Sequence, residues 1–484
     1  MAFRGYLALG FIFCFLSFFK AQIPQWNLRL NNSSDKSWID FGFSNDSTPS
    51  RKAASPPWAQ TYPLAFTDSC GSFFALTPLV NFSLGHELGV DTLRYQNSRG
   101  ALILAGGRKL KIHTLLMENQ AVFPNYQRDF IQKHGEFYFN SNGYTQSNGM
   151  VPGEARTKPF KASGFDYLYA RGGFQWSPRK RIMIFGGNQQ ILIGYGARSI
   201  FWGDHNQALI LGAQYHITKH ISYVSSRGRL YDLLRRPSFE GVESNYYKRG
   251  YALNGLVFRW KIHEACLVYQ SLWNGGSLTK EARISPYFWV PIPGLDFLDK
   301  NTFYQPQIGV CYKIQPTKTL QFYGEVFTRN FIKNTMSFQA GGNFIGKMTQ
   351  NLYLNAHVSF LHTGNSFYGD TFEGGFSHNN LPLGSLLGNG VDELQIVTQW
   401  RIKRLQVNHQ THYYKINSPK NIMFLPYLPS NDPIFHSVME VGVLVNYPSQ
   451  LLIYLGMDFR TSNNNTLVWS GGIKTALFRN QHAY

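Results

Sequence analysis

The stretch Leu451–Arg460, which reads LLIYLGMDFR, separates its residues by parity. The odd-numbered positions are all apolar, namely Leu451, Ile453, Leu455, Met457 and Phe459. The even-numbered positions are mostly polar, small or amphipathic, namely Leu452, Tyr454, Gly456, Asp458 and Arg460. Because successive side chains of a β-strand point to opposite faces, the pattern predicts a strand with one apolar face and one wetter face.

The same alternation recurs along the chain, in segments that are joined by short and long connections in turn. Leu394, Ile396, Trp400 and Ile402, for example, alternate with polar neighbours. The short connections are Gly106–Lys109, Ser177–Lys180, Ile217–His220, Trp260–His263, Pro316–Lys318, Gly346–Gln350, Lys403–Arg404 and Pro448–Ser449. The long ones are Asn119–Gly164, Gly194–Asn206, Ser225–Gly250, Asn274–Thr302, Thr363–Val391 and Asn417–His436. Eight short turns and one extra strand at each end give about 18 strands.

The composition of the 484 residues favours one large β unit. Aromatic residues make up 16% and charged residues only 15%, against roughly 25% charged residues in soluble domains. The mean hydropathy of -0.24 excludes a helical membrane protein. A barrel strand has one lipid-facing and one water-facing side, and this alternation lowers the mean hydropathy.

The N-terminus has the pattern of an export signal. Arg4 precedes the apolar run Leu7–Phe19, and Lys20-Ala21-Gln22 offers a small residue for cleavage. We therefore predict a signal peptide over residues 1–21, with an uncleaved anchor as the alternative. Residues 22–71 are rich in Asn, Ser and Pro and predict a periplasmic or lumen-entering segment.

Together these patterns predict that residues 72–484 form a large antiparallel β-barrel in the outer membrane. Short turns would face the periplasm and long loops the cell exterior. Lipid would surround the apolar faces, while water would fill the inside. The alternative is a soluble β-sandwich or propeller, whose core strands also alternate. No repeat of 20–50 residues is visible, which disfavours a propeller.

Motifs for other chemistries are incomplete. Gly341–Lys347 has the spacing of a phosphate loop, but Met348 stands where a Ser or Thr would bind magnesium. His86-Glu87 and His263-Glu264 lack the second histidine of a zinc protease. The net charge of +19 is spread along an exported chain, which argues against nucleic acid. We predict no cofactor, no metal and no catalysis, although a Ser–His pair assembled across strands, as in outer-membrane lipases, is left open.

Cys70, Cys266 and Cys311 would remain after removal of the signal peptide. Their spacing predicts neither a disulfide framework nor a metal site, although a single bridge is possible.

Three polar islands in the first long connections carry a family resemblance. They are Met117-Glu118-Asn119-Gln120 with Phe123-Pro124-Asn125-Tyr126, then Val151–Arg156 with Lys158-Pro159-Phe160, and finally Gly194–Ile200 ending at Asp204. In these motifs the chain resembles the Wzi-like capsule-assembly family of outer-membrane proteins. It is most similar to the Bacteroidetes branch labelled RemB-like, after a gliding-motility surface protein. The resemblance covers about Ser72 to the C-terminus and is strongest over Leu116–Asp204.

The resemblance implies a barrel of about 18 strands that binds surface or capsular polysaccharide without catalysis. The matching positions are Glu118, Asn119, Phe123, Pro124, Gly153, Arg156, Pro159, Gly194, Gly196, Arg198, Ser199 and Asp204. The sequence departs from the family pattern at Phe201-Trp202-Gly203, where aliphatic residues and a serine usually precede the Asp. This departure puts the identity of the ligand in doubt more than the fold.

Sugar binding also agrees with the residues in the loops, because sugar rings stack on aromatic side chains while their hydroxyls form hydrogen bonds. Aromatic residues lie in or beside the long connections: Trp202, Trp273, Phe288, Trp289, Phe367 and Tyr368. Basic side chains there could pair with uronic carboxylates. The predicted polysaccharide site comprises Glu118, Asn119, Arg156, Lys158, Arg198, Trp202 and Asp204. The alternative is that these aromatic side chains form the girdle where membrane lipid meets water, and that Arg198 merely pairs with Asp204.

The expected partners are membrane lipid, surface polysaccharide and other outer-membrane assembly proteins. A second function class fits the same barrel, namely a transport pore or a component of a cell-surface motility or secretion assembly.

Overall fold

The computed structural model describes residues 39–40, 64–67, 72–140, 143–153, 156–161, 163–190, 192–196, 199–203, 205–235, 246–273, 285–295, 304–329, 335–369, 375–417, 432–446, 451–461 and 465–475. The first strands are β1 (Ile39–Asp40), β2 (Leu64–Thr67), β3 (Phe73–Glu87), β4 (Arg94–Gly106), β5 (Leu110–Val122), β6 (Glu136–Asn140), β7 (Gly143–Ser147), β8 (Lys158–Phe160) and β9 (Gly164–Arg179). Next come β10 (Ile182–Gln190), β11 (Leu192–Ile193), β12 (Gln207–His216), β13 (Ile221–Arg235), β14 (Tyr246–Trp260), β15 (His263–Trp273), β16 (Tyr304–Ile314), β17 (Leu320–Arg329) and β18 (Met336–Lys347). The last are β19 (Leu352–His362), β20 (Ser377–His378), β21 (Leu381–Pro382), β22 (Val391–Ile402), β23 (Leu405–Ile416), β24 (Ile434–Asn446), β25 (Leu451–Arg460) and β26 (Thr466–Thr475). The helices are α1 (Asn125–Lys133) and the 3-10 helix η1 (Pro286–Trp289).

Eighteen long strands form one closed antiparallel barrel. Each pairs with its neighbours in chain order, from β3 through β5, β9, β10, β12–β19 and β22–β26. The ring closes where β26 pairs with β3, with Val468 opposite Glu87. The predicted fold class and strand number are therefore confirmed. An even number of strands places both ends of the barrel on the rim with the short turns, which is the periplasmic rim in such barrels.

The apolar outer face follows the parity seen in Leu451–Arg460. On β25, Leu455 is 74% exposed on the outside, whereas Leu452 is 1% exposed on the inside. Other strands of the wall present further exposed apolar side chains, among them Phe82, Leu211, Phe360, Ile396 and Val443. Apolar side chains on the outer face of a closed barrel are suited to lipid. Among the described residues, no helix is both long and apolar enough to cross a membrane.

The predicted short turns that fall within the described residues all lie on the periplasmic rim, while Pro448–Ser449 lies outside those residues. The predicted long connection Ser225–Gly250 is wrong over most of its length. Strand β13 continues to Arg235 and β14 starts at Tyr246. The polar residues of this stretch are typical of a loop. In the structure, however, their side chains have partners in the barrel wall. The last strand of the barrel is Thr466–Thr475 within the described part.

Two pieces of the N-terminal segment pair with the barrel. Strand β2 pairs with the start of β3, with Leu64 opposite Leu76. Strand β1 pairs with β11, with Ile39 opposite Ile193. The predicted signal peptide and its cleavage site lie outside the described residues. In the wall, Cys266 and Cys311 are free, buried and directly opposite each other on β15 and β16.

Candidate functional site

Two extracellular connections fold into the barrel and fill much of its lumen. We call them the plug, and its described residues are 192–196, 199–203, 205–206, 363–369 and 375–390. Trp202 is fully buried and packs on Tyr251 of β14, with ring centroids 4.6 Å apart. Phe201 stacks on Phe327 of β17 at 4.5 Å. Barrels of 16–18 strands usually enclose a water-filled channel, so the plug is the main departure from a simple pore.

The Gly194-Tyr195-Gly196 motif fixes the first half of the plug to the wall. The amides of Tyr195 and Gly196 donate to one carboxylate oxygen of Glu325 on β17, the second over 3.3 Å. The Tyr195 hydroxyl donates to Glu264 at 2.9 Å. Gly194 has a φ of +114°, and a Cβ at this position would lie 2.5 Å from a Glu325 oxygen. The glycine is therefore required by backbone conformation and by close approach.

The two halves of the plug are bonded to each other as well as to the wall. The Asn206 side-chain amide donates to the carbonyls of Pro382 and Leu383 over 2.7 and 2.9 Å. The Tyr368 hydroxyl donates to the carbonyl of Ile200 over 2.5 Å. These buried bonds would lose their partners if one half left the lumen, so the plug behaves as one unit.

A buried histidine couples the plug to pH. His378 accepts a hydrogen bond at Nδ1 from the backbone amide of Tyr231, over 3.0 Å. Burial, together with a smaller contribution from the charge of Arg249, lowers the pKa of His378 to about 4, although a hydrogen bond to the Gln207 backbone acts in the opposite direction. Protonation of Nδ1 would remove the acceptor that Tyr231 uses.

We therefore expect the plug to loosen in mild acid. An opened plug exposes His378 with an ordinary pKa near 6.5, so between pH 6.5 and about 4 the open state binds more protons. The contribution of His378 to stability is complete above pH 6.5 and is lost as the pH falls towards 4. Hydrogen exchange of residues 375–390, corrected for intrinsic rates, should be faster at pH 5 than at pH 7. A His378→Asn variant should lose most of this pH dependence, and an unchanged dependence would contradict the assignment.

A second buried cluster lies at the extracellular end of the barrel around Glu136. Arg156 and Arg235 donate to its carboxylate over 2.8 and 2.5 Å. Tyr246 and Asn148 add hydrogen bonds of 2.6 and 3.0 Å. Burial alone would raise the pKa of Glu136, but these donors outweigh it and lower the pKa. The guanidinium of Arg156 is thus already engaged by a carboxylate of the protein.

The predicted site residues that the structure describes lie in different parts of the barrel. Glu118 lies on the outer face of β5, where Arg99 of β4 pairs with it at 2.9 Å. Asn119 is the next residue and points inward, where its amide donates to the carbonyl of Tyr167 over 3.3 Å. Lys158 is exposed on β8. Trp202 lies inside the plug, and Arg198 and Asp204 lie outside the described residues.

A cavity of about 190 Å³ lies on the other side of the lumen. Strands β3, β4, β9 and β24–β26 form its wall, and the first residues after β5 lie across it. Its inward-facing lining includes Ser83, Arg94, Gln96, Phe123, Pro124, Gln127, Tyr167, His436, Glu440, Tyr454, Asp458, Ser470 and Lys474. We call it the lumenal cavity. It combines aromatic rings with both hydrogen-bond donors and acceptors.

Charges in the wall of the lumenal cavity occur in pairs. Lys474 contacts Glu440 at 2.5 Å. His436 contacts Asp458 at 2.9 Å, and the Tyr126 hydroxyl donates to the same carboxylate at 2.6 Å. Burial raises the pKa of Tyr126 well above its usual value, and the charge of Asp458 adds to this effect. The hydroxyl therefore remains a donor at any physiological pH.

A third ion pair lies at the extracellular end of the cavity. Arg94 contacts Glu87 at 2.5 Å, with both side chains buried. The same carboxylate accepts the backbone amide of Asn125 over 3.1 Å. This bond fixes the start of α1 beside the cavity, next to Phe123, whose ring stacks on Tyr167 with centroids 6.1 Å apart.

Sequence reasoning missed this cavity as a site, although Phe123 and Pro124 were among the family-like positions. The remaining lining residues belong to strands that are far apart in the chain. The available signal was the set of polar residues at inward positions of the last strands, such as Glu440, Asp458 and Lys474.

The fold and the filled lumen define the class of protein, an outer-membrane β-barrel with an internal plug. No family model matches the chain, and no curated protein matches it. A similar solved structure is Wzi of Escherichia coli, an outer-membrane protein involved in group 1 capsule assembly and described as a carbohydrate-binding β-barrel. The TM-score is 0.52 at 13% identity, over 82% of this chain and 84% of Wzi.

Porins are similar at a lower level. A BenF-like porin from Pseudomonas fluorescens has a TM-score of 0.43 at 10% identity, over 84% of this chain and 98% of the porin. OprD of Pseudomonas aeruginosa has a TM-score of 0.40 at 9% identity, over 87% of this chain and 98% of OprD.

At 13% identity the likeness to Wzi shows the fold alone. The RemB-like branch and the gliding role remain predictions.

Proposed function

We propose that this protein is a non-enzymatic outer-membrane barrel that binds surface polysaccharide of the capsular kind. The plug is the observation that carries the proposal, because a filled lumen suits holding a ligand better than passing solute. The family resemblance of the three polar islands and the similarity to Wzi support the same function. The lumenal cavity supplies a place where one sugar unit could bind.

The chemistry of the lumenal cavity favours a neutral sugar. Two of its acids are already paired with bases, Glu440 with Lys474 and Glu87 with Arg94, and Asp458 accepts a hydrogen bond from Tyr126 beside His436. An added carboxylate would compete with the existing acids, whereas hydroxyls can donate to Asp458 or Glu440 and accept from Lys474. Arg156 shares the single carboxylate of Glu136 with Arg235, so that cluster keeps a positive charge, and the pairing of Arg156 with a uronic acid stays a prediction.

The volume of the cavity limits the size of the ligand. Pockets that enclose drug-sized ligands have about 300–1,000 Å³, whereas this cavity has about 190 Å³. One ring could enter, while the remainder of a polysaccharide would lie outside. Phe123 offers a ring on which an apolar sugar face could stack.

Replacing Phe123 with leucine should weaken binding of the organism's own surface polysaccharide about fivefold. The change keeps an apolar side chain but removes the stacking surface, and a stacking contact contributes about 1 kcal/mol beyond buried area. Binding can be measured by biolayer interferometry on detergent-solubilised protein. The matched control is Phe130→Leu, because Phe130 is a buried aromatic residue of the adjacent α1 that does not line the cavity. Equal losses in both variants would refute the cavity as the binding site.

The alternative functions make different predictions. A transport pore would give steady, large conductance in planar bilayers, which a plugged barrel should lack. A motility or secretion role would leave capsule unchanged in a deletion strain while altering surface movement or export. Release of fatty acid from lipid, abolished by a single Ser or His substitution, would instead reveal an enzyme.

Export by a cleaved signal peptide is part of the proposal. N-terminal sequencing of protein from purified outer membranes should begin near Gln22, after Ala21. A first residue within 1–21 would show that the signal is retained.

A further inference from the structure

The described part of one extracellular connection lies on the outside of the barrel. It consists of residues 285–295, between β15 and β16, and we call these residues the strap. Phe288 of the strap packs beside Trp273, and a Cβ on Gly250 of β14 would lie 3.0 Å from its ring. Gly250 and Trp273 are paired neighbours at outward-facing positions, since Tyr251 and Leu272 beside them face the plug core. The strap therefore covers the outer wall.

The strap is held at the depth of the lipid-facing surface by Arg227 of β13. Arg227 lies directly opposite Leu211 of β12, an outward residue that is 56% exposed. Its guanidinium donates to the carbonyl of Phe288 and, over 2.6 Å, to that of Val290. An arginine that faced lipid near the midplane would be strongly destabilising. Strap carbonyls cover it instead.

A second anchor lies further along the strap. The Tyr223 hydroxyl lies 2.5 Å from the carbonyl oxygen of Pro291 and 3.0 Å from Oδ1 of Asn254, and its single hydrogen can be donated to either acceptor. Asn254 is near the middle of the 15-residue strand β14. The strap thus reaches well below the extracellular rim.

The backbone of the strap is suited to an environment without water. Pro286, Pro291 and Pro293 have no N–H group to satisfy. Other amides donate within the strap itself, namely Tyr287 to the Ser285 hydroxyl, Phe288 to the Ser285 carbonyl, Val290 to Tyr287, and Ile292 to Val290. Irregular backbone is tolerated at membrane depth only where its polar groups have partners.

The outer surface of the strap is apolar and aromatic. Tyr287 is 43% exposed, Trp289 is 62% exposed and Ile292 is 55% exposed. Tryptophan and tyrosine are enriched where membrane lipid meets water. The residues that anchor the strap are polar, whereas those on its free side are suited to acyl chains.

We propose that the strap is a membrane-contact element that embeds its Trp289 side in the acyl chains of the outer half of the membrane. It shields Arg227 and the polar residues around it from lipid and widens the lipid-facing surface over β13–β15. Trp289 therefore contacts lipid and not sugar, while Phe288 is buried between the strap and the wall.

Spin-label accessibility tests this placement. Trp289→Cys would be made in a Cys70→Ser background, since Cys266 and Cys311 are fully buried. The labelled protein would be reconstituted into phosphatidylethanolamine–phosphatidylglycerol vesicles and exposed to dioxygen, which partitions into lipid, or to a nickel chelate, which stays in water. Leu211→Cys serves as the lipid-facing control and Asp91→Cys, in an exposed extracellular turn, as the aqueous control.

Position 289 should match position 211, with strong relaxation by dioxygen and a loss of access by the nickel chelate. Nickel access equal to that at position 91 would overturn the proposal. Exclusion of both reagents, with dipolar broadening between labels, would also overturn it, because a second copy of the chain would then cover the strap. None of these outcomes depends on polysaccharide binding.

Discussion

Replacing Trp202 with alanine is expected to destabilise the plug by about 3–5 kcal/mol, the usual range for truncating a buried large aromatic side chain. Trp202 is fully buried, contacts Tyr251 on the wall, and donates from its indole to the Asn206 carbonyl over 3.3 Å. The barrel strands have their own hydrogen-bonded ladders, so the loss should be confined to the plug. Hydrogen exchange should show lost protection in residues 199–203 and 375–390 while the strands remain protected.

The same variant tests whether the plug closes the lumen. Wild-type protein should conduct little in planar bilayers, and Trp202→Ala should conduct more. Trp260→Ala is the matched control, because Trp260 is 67% exposed on the outer face and is remote from the plug. If Trp202→Ala and Trp260→Ala both leave protection and conductance at wild-type values, the plug does not depend on this core.

The fold could be predicted from sequence because its main signal is local. In each wall strand, lipid and lumen select residues at alternate positions, so a stretch such as Leu451–Arg460 shows its two faces without knowledge of its neighbours. The stretch Ser225–Gly250 was predicted incorrectly because its lipid-facing side is partly covered. There the strap allows Ser225 and Arg227 to point outward, which removes the apolar face that identifies a barrel strand.

The candidate site was harder to predict because it depends on contacts between distant strands. Glu118 and Asn119 are adjacent in a promising motif, yet the strand places them on opposite faces of the wall. Glu440, Asp458 and Lys474 are separated in sequence, yet pairing of β24, β25 and β26 brings them to one cavity. No short motif contains this arrangement.

The role of Arg156 illustrates a second limit. Sequence showed a basic residue in a polar loop, which suggested an acidic ligand. Its carboxylate partner, Glu136, is 20 residues away on another element of the same connection, so the ion pair becomes visible only after folding. The pairing of Arg156 with an acidic ligand stays a prediction, because Glu136 also pairs with Arg235 and one carboxylate cannot neutralise both arginines.

Replacing Leu455 with arginine should destabilise the barrel by about 2–4 kcal/mol in lipid, the measured range for arginine on the outer face near the midplane. Leu455 lies at the middle of β25 and is 74% exposed on the outer face. Reversible urea unfolding in phosphatidylcholine vesicles would measure the change.

The matched control for this substitution is Leu88→Arg. Leu88 has a similar exposure of 68% but lies in the extracellular turn after β3, where water surrounds it. Its replacement should change stability by no more than about 0.5 kcal/mol, as for most surface substitutions. Equal effects of the two substitutions would mean that the exposed face of β25 does not contact lipid. The difference between them isolates the bilayer as the cause, because both replace an exposed leucine with the same charge.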